Sequence, residues 1–366
     1  MSLISTPSTE SDASAASAQL PSHSTVSRTA INERVVISRY GPPDVLTLIH
    51  EPLPVPKPGD VRILVEAAGV SFGDVAQRAN LFFAGAPPMP YTPGYDIVGH
   101  VDAIGDGVRD AAVGDRVAVL TMFGGYARYV CVPSGWLVPI PADLDASRAV
   151  AVILNYTTAW QMLRRVAHVS GGETVLVYGA SGGVGSAVLD VARHLQLDVV
   201  AAASTRWHDA LRDQTALLFD EHDRQSADMV RAFRPGGYHA AFDGIGGSHL
   251  WKTRAFVARR GKVVAFGIAG AVKPGGKRRL TEVARLALLL GLTKLWPYPS
   301  VELYAMDQRI KVHRAEIIAD LSEVLGLLAA GRLSPRIGAT FPLREAGRAH
   351  QLLESRNNMG KIVLIP

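Results

Sequence analysis

From residue 61 onward the apolar positions arrive in short runs with a period of two. Val61, Ile63 and Val65 share one face of a strand predicted over 61–70. Further strands are predicted over 97–103, 116–120 and 127–132. Gly105, Gly107, Gly114, Gly124 and Gly125 fall between them as turn residues. Ordered structure is expected to begin near Arg34. A loop punctuated by Pro52, Pro54, Pro56 and Pro58 then ends at Gly59-Asp60. Short strands with dense turns describe a compact, mostly β unit.

The pattern changes after about Asp145. Residues 147–166 carry a helical pattern, and 174–178 are apolar throughout, as in a parallel strand covered on both faces. A glycine-rich turn follows, then a helix over 185–195 and a strand over 199–203. Later strands are expected at 240–243 and 262–266. The alternation of β and α predicts an α/β fold with a Rossmann-type doubly wound parallel sheet beside the β-rich part. Helices near 318–329 and 345–355 and a closing strand over 361–365 complete the chain. Periodicity does not say which sheet this last part joins.

The turn after 174–178 reads Gly179-Ala180-Ser181-Gly182-Gly183-Val184-Gly185. Strand, glycine turn and helix in that order form the dinucleotide-binding fingerprint, with Ala180 at its first glycine position. Gly182 would let the backbone approach a pyrophosphate, and Gly185 would let the helix pack close to the strand. The helix start offers N–H groups and the positive end of a dipole to the phosphates. The second strand ends in Ser204-Thr205-Arg206. No carboxylate stands there to hold a ribose 2′-hydroxyl, and Arg206 is a ready partner for a 2′-phosphate. NADPH is therefore the expected cofactor.

Composition narrows the classes. At 366 residues and 48% apolar content the chain can bury a large core and suggests two domains. The net charge is +5, but no run of five or six like charges marks a nucleic-acid arm. The single cysteine, Cys131, excludes an internal disulfide and a multi-cysteine zinc lobe, and it fits a reducing, cytoplasmic setting. The longest apolar run, 286–292, is far short of the roughly 18 residues of a membrane span. Residues 1–33 are rich in Ser, Ala and Thr and are expected to be a disordered tail. Glu10, Asp12 and the lone Arg28 argue against a transit peptide there.

Several segments together resemble the zinc-less medium-chain dehydrogenases/reductases. They are Gly69-Val70-Ser71-Phe72-Gly73-Asp74, Pro93-Gly94-Tyr95-Asp96-Ile97-Val98-Gly99, Val113-Gly114-Asp115-Arg116-Val117, Gly261-Lys262-Val263-Val264 with Phe266-Gly267, and Asn358-Met359-Gly360-Lys361-Ile362-Val363-Leu364. Within that superfamily, Asn155-Tyr156-Thr157-Thr158-Ala159-Trp160 and the basic stretch near Lys277 look most like the vesicle amine transport protein homologues, a branch related to the quinone oxidoreductases. The resemblance implies a GroES-like catalytic domain over 34–157, an NADPH-binding domain over 158–301 and a return to the catalytic domain over 302–366. It also implies a homodimer, with a nucleotide-sheet edge near 263–272 pairing across a two-fold axis.

Position by position, the resemblance places Ser71 near the nicotinamide, where quinone oxidoreductases usually have Asn, and Thr158 against its ring, and matches Asp74 to the family's Asp as a catalytic candidate. Phe266, Gly267 and Ile268 hold the carboxamide, and Asn358 lies on the cofactor side. A turn or capping role fits Asp74 and Asn358 equally well. Ala76 stands where many relatives have Tyr, which leaves a wider pocket. Zinc-dependent members use a cysteine and a Gly-His-Glu stretch as ligands. Here Ser71 and Gly94-Tyr95-Asp96 occupy those places, and neither offers thiolate or imidazole. No metal is expected. The implied activity is hydride transfer from NADPH to a small, hydrophobic, electron-poor quinone or conjugated enone, with water or a hydroxyl such as Tyr156 supplying the proton. An enoyl-thioester reductase and a cofactor-binding protein with a lipid or protein partner are the alternatives.

Overall fold

A computed structural model describes residues 31–81, 85–267, 285, 288, 291, 292, 296 and 298–366. The expectations for Ile268, the stretch near Lys277 and most of 280–296 lie outside the described residues.

The Rossmann-type sheet has six strands: β8 (Thr174–Tyr178), β9 (Asp198–Ala202), β10 (Leu217–Phe219), β11 (Tyr238–Asp243), β12 (Val257–Ala265) and β13 (Ser300–Leu303). Their order is β10-β9-β8-β11-β12-β13, and every pair is parallel. Strand order reverses direction between β8 and β11, which opens a crevice at their carboxyl ends. The wholly apolar β8 follows from coverage on both faces. Val175 and Val177 enter one hydrophobic core, whereas Leu176 and Tyr178 enter the other. Each such aliphatic side chain contributes about 1.5–3 kcal/mol on full burial.

The second sheet holds β3 (Asp60–Val70), β4 (Asp96–Ile104), β5 (Arg116–Leu120), β6 (Tyr129–Pro133), β7 (Val138–Pro139), β14 (Ile337–Pro342) and β15 (Lys361–Ile365). β15 runs antiparallel to β3, with Val363 opposite Gly69. The C-terminal segment therefore returns to the sheet built by the early strands. A hairpin of β1 (Ile31–Ile37) and β2 (Leu46–Pro52) flanks it. Ile31-Asn32-Glu33, ahead of the expected start near Arg34, are already strand, because they pair with Pro52, Glu51 and His50. The hairpin also converts the first proline of the expected loop into the end of a strand.

The helices are α1 (Phe72–Arg78), α2 (Ala146–Gln161), α3 (Gly183–His194), α4 (His208–Leu211), α5 (Ser226–Phe233), α6 (His249–Arg254), α7 (Met306–Val312), α8 (Arg314–Ala329) and α9 (Ala346–Ser355). Asp145 caps α2, its carboxylate accepting from Arg148 N at 2.7 Å. α2 is buried almost all round, since it touches β3, β4, β5 and β15 on one side and α3 and α8 on the other. It is the wall shared by the two sheets, and the expected limit at 157/158 falls inside it. The limit at 301/302 falls inside β13. No helix among the described residues is long and apolar enough to cross a membrane.

Candidate functional site

The glycine turn sits at the switch point. Gly179, with φ of 78°, lets the chain leave β8, and Gly182 N closes the turn on Gly179 O at 3.1 Å. α3 starts at Gly183, so the first-turn N–H groups of Gly183, Val184 and Gly185 have no intrahelical partners. A Cβ on Gly185 would lie 2.1 Å from Gly179 O, and one on Gly183 would lie 2.7 Å from the Asn155 amide nitrogen. One on Gly182 would meet only Gly179 O, at 3.3 Å. The crowding at Gly185 and the open approach at Gly182 are what a pyrophosphate cradle requires. Ala180 is fully buried beneath the turn.

Across the switch point, Phe266 N donates to Asp243 O, and Gly267 packs so tightly that a Cβ would come within 1.9 Å of Gly244 O. Asp243 organises the turn after β11. Its Oδ1 accepts from Ile245 N and Gly246 N at 2.8 and 2.9 Å, and its Oδ2 meets His249 Nδ1 at 2.7 Å and Thr253 Oγ1 at 2.6 Å. His249 Nε2 lies 3.4 Å from Glu221. Burial alone would lower the His249 pKa, but the bonds to Asp243 and Glu221 outweigh it and raise it to about 9. Sequence reading missed this group, because Glu221, Asp243 and His249 come from three separate segments.

A raised histidine pKa gives stability that is complete below about 6.5 and is lost as pH rises through about 9. The wild-type melting temperature is therefore expected to fall between pH 7 and pH 9.5 by more than that of His249→Gln. Parallel curves for the two proteins would rule out the charged bridge.

Where β3 leads into α1, Ser71 and Asp74 form a capping box. Ser71 Oγ donates to Asp74 Oδ2 at 2.8 Å, and Asp74 Oδ1 accepts from Gly94 N at 2.9 Å. Burial, helped by the charge of Asp96, raises the Asp74 pKa to about 6 against the opposing bond from Ser71. Behind it, Tyr126 meets His350 Nε2 at 3.1 Å, and Arg78 Nε donates to His350 Nδ1 at 3.3 Å. Burial and the Arg78 charge hold His350 neutral, with a pKa near 3.

Thr158, on α2, is buried and hydrogen-bonded to the Tyr304 hydroxyl. Tyr304 donates on to Gln161 Oε1 at 2.6 Å, and Arg309 Nε holds that same oxygen at 3.1 Å. Tyr304 follows β13 directly, next to Ala265. Sequence reading missed it because only the fold brings it beside Thr158.

Tyr156 is not a proton donor to this crevice. Its hydroxyl donates to Asp190 Oδ2 at 2.9 Å, between α2 and α3, where Ser334 N also bonds the carboxylate. Two residues along a helix is about 200° of turn, so Tyr156 and Thr158 face opposite ways. Asn358 is likewise turned into its own loop, with Nδ2 on Gly360 O at 3.0 Å and its side chain against Gly338.

At the adenosine end, Ser204, Thr205 and Arg206 are exposed after β9. One expectation fails here. A carboxylate does stand nearby, because Asp220 at the end of β10 accepts from Thr205 Oγ1 at 3.0 Å and from Thr205 N at 3.3 Å. Pairing of β10 with β9 brings it there, which spacing along one segment does not reveal. Bonds from His222 N, then from Thr205, hold Asp220 below the ordinary carboxylate range.

The chain matches the model "Alcohol dehydrogenase GroES-like domain" over residues 57–142 and "Zinc-binding dehydrogenase" over 214–364. It is 31% identical to the synaptic vesicle membrane protein VAT-1 homolog of Rattus norvegicus over 343 residues, covering 91% of this chain and 83% of the relative. The chain belongs to the medium-chain dehydrogenase/reductase superfamily, in its quinone oxidoreductase branch. The quinone oxidoreductase of Sus scrofa is 29% identical, covering 90% of this chain and 96% of that one. A solved mycobacterial structure complexed with NADPH matches with a TM-score of 0.77 at 29% identity, covering 91% of this chain and 100% of the other. A nicotinamide-dependent oxidoreductase fold is therefore in hand.

The zinc that one family description carries does not fit this donor set. Ser71 caps α1 and Tyr95 packs on Gly73, so the places that carry thiolate and imidazole in zinc-dependent members offer neither.

Proposed function

We propose that this protein is an NADPH-dependent, zinc-independent reductase acting on a small, hydrophobic, electron-poor acceptor, a quinone or a conjugated enone. The observation that supports this reading is the glycine turn at the switch point of the parallel sheet: Gly185 has no room for a side chain, Gly182 stays open, and Gly183 abuts Asn155 on α2, the helix that also carries Thr158. Ser71, with its buried acid Asp74, is assigned to the acceptor side by the family resemblance.

Ser181 to Gly185 would hold the pyrophosphate, Ser204 to Arg206 the 2′-phosphate end, and Thr158 with Phe266-Gly267 the nicotinamide. NADPH supplies the hydride when bound. The chain's own share is alignment and proton supply. Tyr304 fixes the Thr158 hydroxyl, and Asp243 fixes the 244–247 turn. Asp74 accepts the Ser71 proton when ionised. When neutral it can donate to Ser71 Oγ, which frees the Ser71 proton for the reduced acceptor. The sign follows: proton delivery is stronger below the Asp74 pKa of about 6 and weakens above it. An acceptor already activated by conjugation needs no Lewis acid.

We also propose a homodimer. The expected edge near 263–272 moves to β13, because β12 lies inside the sheet between β11 and β13. β13 ends the sheet among the described residues and leaves Leu303 about half exposed.

The test is loss of the reduced-nicotinamide absorbance with NADPH and NADH, against quinones, enones and enoyl thioesters, with and without a chelator. NADPH-preferring, chelator-insensitive turnover of quinones or enones is expected. Ser71→Ala should lower it about a hundredfold, whereas Tyr156→Phe should retain it. NADPH binding with no turnover on any quinone or enone would overturn the proposal, and turnover of thioesters alone would redirect it.

A further inference from the structure

Arg206 presents an unusual set of partners. Its Nη1 donates to Asn357 Oδ1 at 2.5 Å, its Nη2 to Arg356 O at 3.0 Å, and the guanidinium lies over the Trp207 ring. Both oxygens belong to the turn joining α9 to β15, which is part of the other sheet. No carboxylate among the described residues pairs with Arg206. Its fork is filled by two neutral acceptors, at positions exposed to solvent.

The turn is built to hold that position. Arg356 adopts a left-handed φ of 57°, and Asn357 N donates to Ser355 Oγ at 3.2 Å, which fixes the backbone of the turn at Asn357. Gly360 N reaches Ser181 O in the glycine turn at 3.4 Å. A parallel tether runs through Arg336, whose Nη2 donates to Ala210 O at 2.7 Å and whose carbonyl accepts from Lys361 N at 2.9 Å. Three arginines, Arg206, Arg336 and Arg356, thus gather in the 204–210, 336 and 356–360 segments. The nearby carboxylate, Asp220, is engaged by Thr205 and His222 N.

Resting on the NADPH reading above, we propose that Arg206 and Asn357 form a latch that the cofactor 2′-phosphate completes. A phosphate dianion is a stronger acceptor for an arginine fork than an amide or a carbonyl oxygen. It takes over Arg206, while the Asn357 carboxamide nitrogen, which is left free by the present bond, donates to the same phosphate. The 2′-phosphate then bridges the nucleotide sheet and the turn before β15, and the two walls of the crevice are fastened together at the adenosine end. NADH, with a hydroxyl there, leaves the neutral bond unchanged. Asn357, on the catalytic-domain side, is thereby a specificity-determining residue.

Dissociation constants of the full-length protein for NADPH and NADH decide this, using quenching of intrinsic fluorescence. Asn357→Asp places a carboxylate on Arg206 that competes with and repels the phosphate. NADPH affinity is expected to fall about tenfold, and NADH affinity, the control for an intact fold, to stay unchanged. Asn357→Ala removes the amide donor and is expected to weaken NADPH severalfold, again without effect on NADH. If the wild type prefers NADPH and neither variant changes that preference, the latch is wrong and the NADPH reading stands. If both variants weaken the two cofactors equally, the latch is also wrong. If the wild type binds NADH as tightly as NADPH, the NADPH reading itself fails, and the latch falls with it.

Discussion

Replacing Lys361 with methionine is expected to cost about 3–5 kcal/mol of folding stability, the largest effect of any single substitution considered for this chain. Lys361 Nζ donates to Asp96 Oδ2 at 2.6 Å, and both side chains are essentially inaccessible to water. Asp96 Oδ2 also accepts from Leu154 N at 3.3 Å, but its Oδ1 has no partner among the described residues. Removing the ammonium leaves a carboxylate that is already short of partners, in a place where water cannot compensate. The pair also joins the first residue of β15 to the first of β4, and Gly69 lies so close that a Cβ would clash with both side chains. Urea unfolding gives the measure, as a lower midpoint at unchanged slope. The double variant Lys361→Met with Asp96→Asn should recover part of the loss, because no charge is then stranded. A single-variant loss below about 1 kcal/mol would show that water reaches Asp96. A further effect reaches the crevice. Lys361 is one of the groups that restrain the raised Asp74 pKa, so its removal should move the pH dependence of turnover upward.

Gly185→Ala is expected to weaken NADPH binding about a hundredfold, equivalent to about 2.7 kcal/mol. The added carbon would stand 2.1 Å from Gly179 O, 2.8 Å from Gly179 C and 2.9 Å from Ala180 Cα. All three are backbone atoms, so no side-chain rotation relieves the contact. α3 must back away from β8, and its first-turn N–H groups leave the pyrophosphate position. Direct binding to the purified variant checks this, with circular dichroism to show that the helices are intact. Gly182→Ala serves as contrast. Its Cβ meets only Gly179 O, at 3.3 Å, so the fold should be undisturbed and the loss should come from blocking the ligand. If Gly185→Ala binds NADPH normally, the cradle lies elsewhere.

The elements that could be read from the chain are those whose pattern is local. Residues 116–120, 174–178 and 361–365 form strands with the expected limits. In β8 and β5 the reason is simple: a run of apolar, β-branched residues bounded by turn residues has few other ways to be buried. β2, β10, β13 and β14 were not foreseen. Their burial patterns are mixed, with β14 alternating only between half-buried and exposed positions, and pairing with a neighbour rather than apolar content makes them strands. β12 was expected to start at Lys262, yet it starts at Val257, because Tyr238 on β11 pairs with Val257 across a register shift.

At the site the same division holds. Gly182, Gly183 and Gly185 could be assigned from strand, turn and helix in sequence, since every atom that constrains them belongs to the same short segment. For Asp74 and Asn358, position in the family left two roles open, and the structure shows a capping or turn contact for each. Tyr156 was offered as one source of the proton, alongside water. α2 turns its hydroxyl toward Asp190 and away from the face that carries Thr158.

By itself, then, the sequence determined the α/β class, the glycine turn between β8 and α3 and the lack of soft metal ligands at Ser71 and Tyr95. These depend on residue type and short spacing. Only the tertiary structure decided that β15 joins β3, that Asp220 stands beside Thr205 and that Tyr304 meets Thr158. It also placed His249 between Asp243 and Glu221, and Arg206 on the turn that carries Asn357. Each of these joins groups far apart in the chain. Their charges and hydrogen bonds act over a few ångströms of space, and no local pattern records which distant segment will fold into that range.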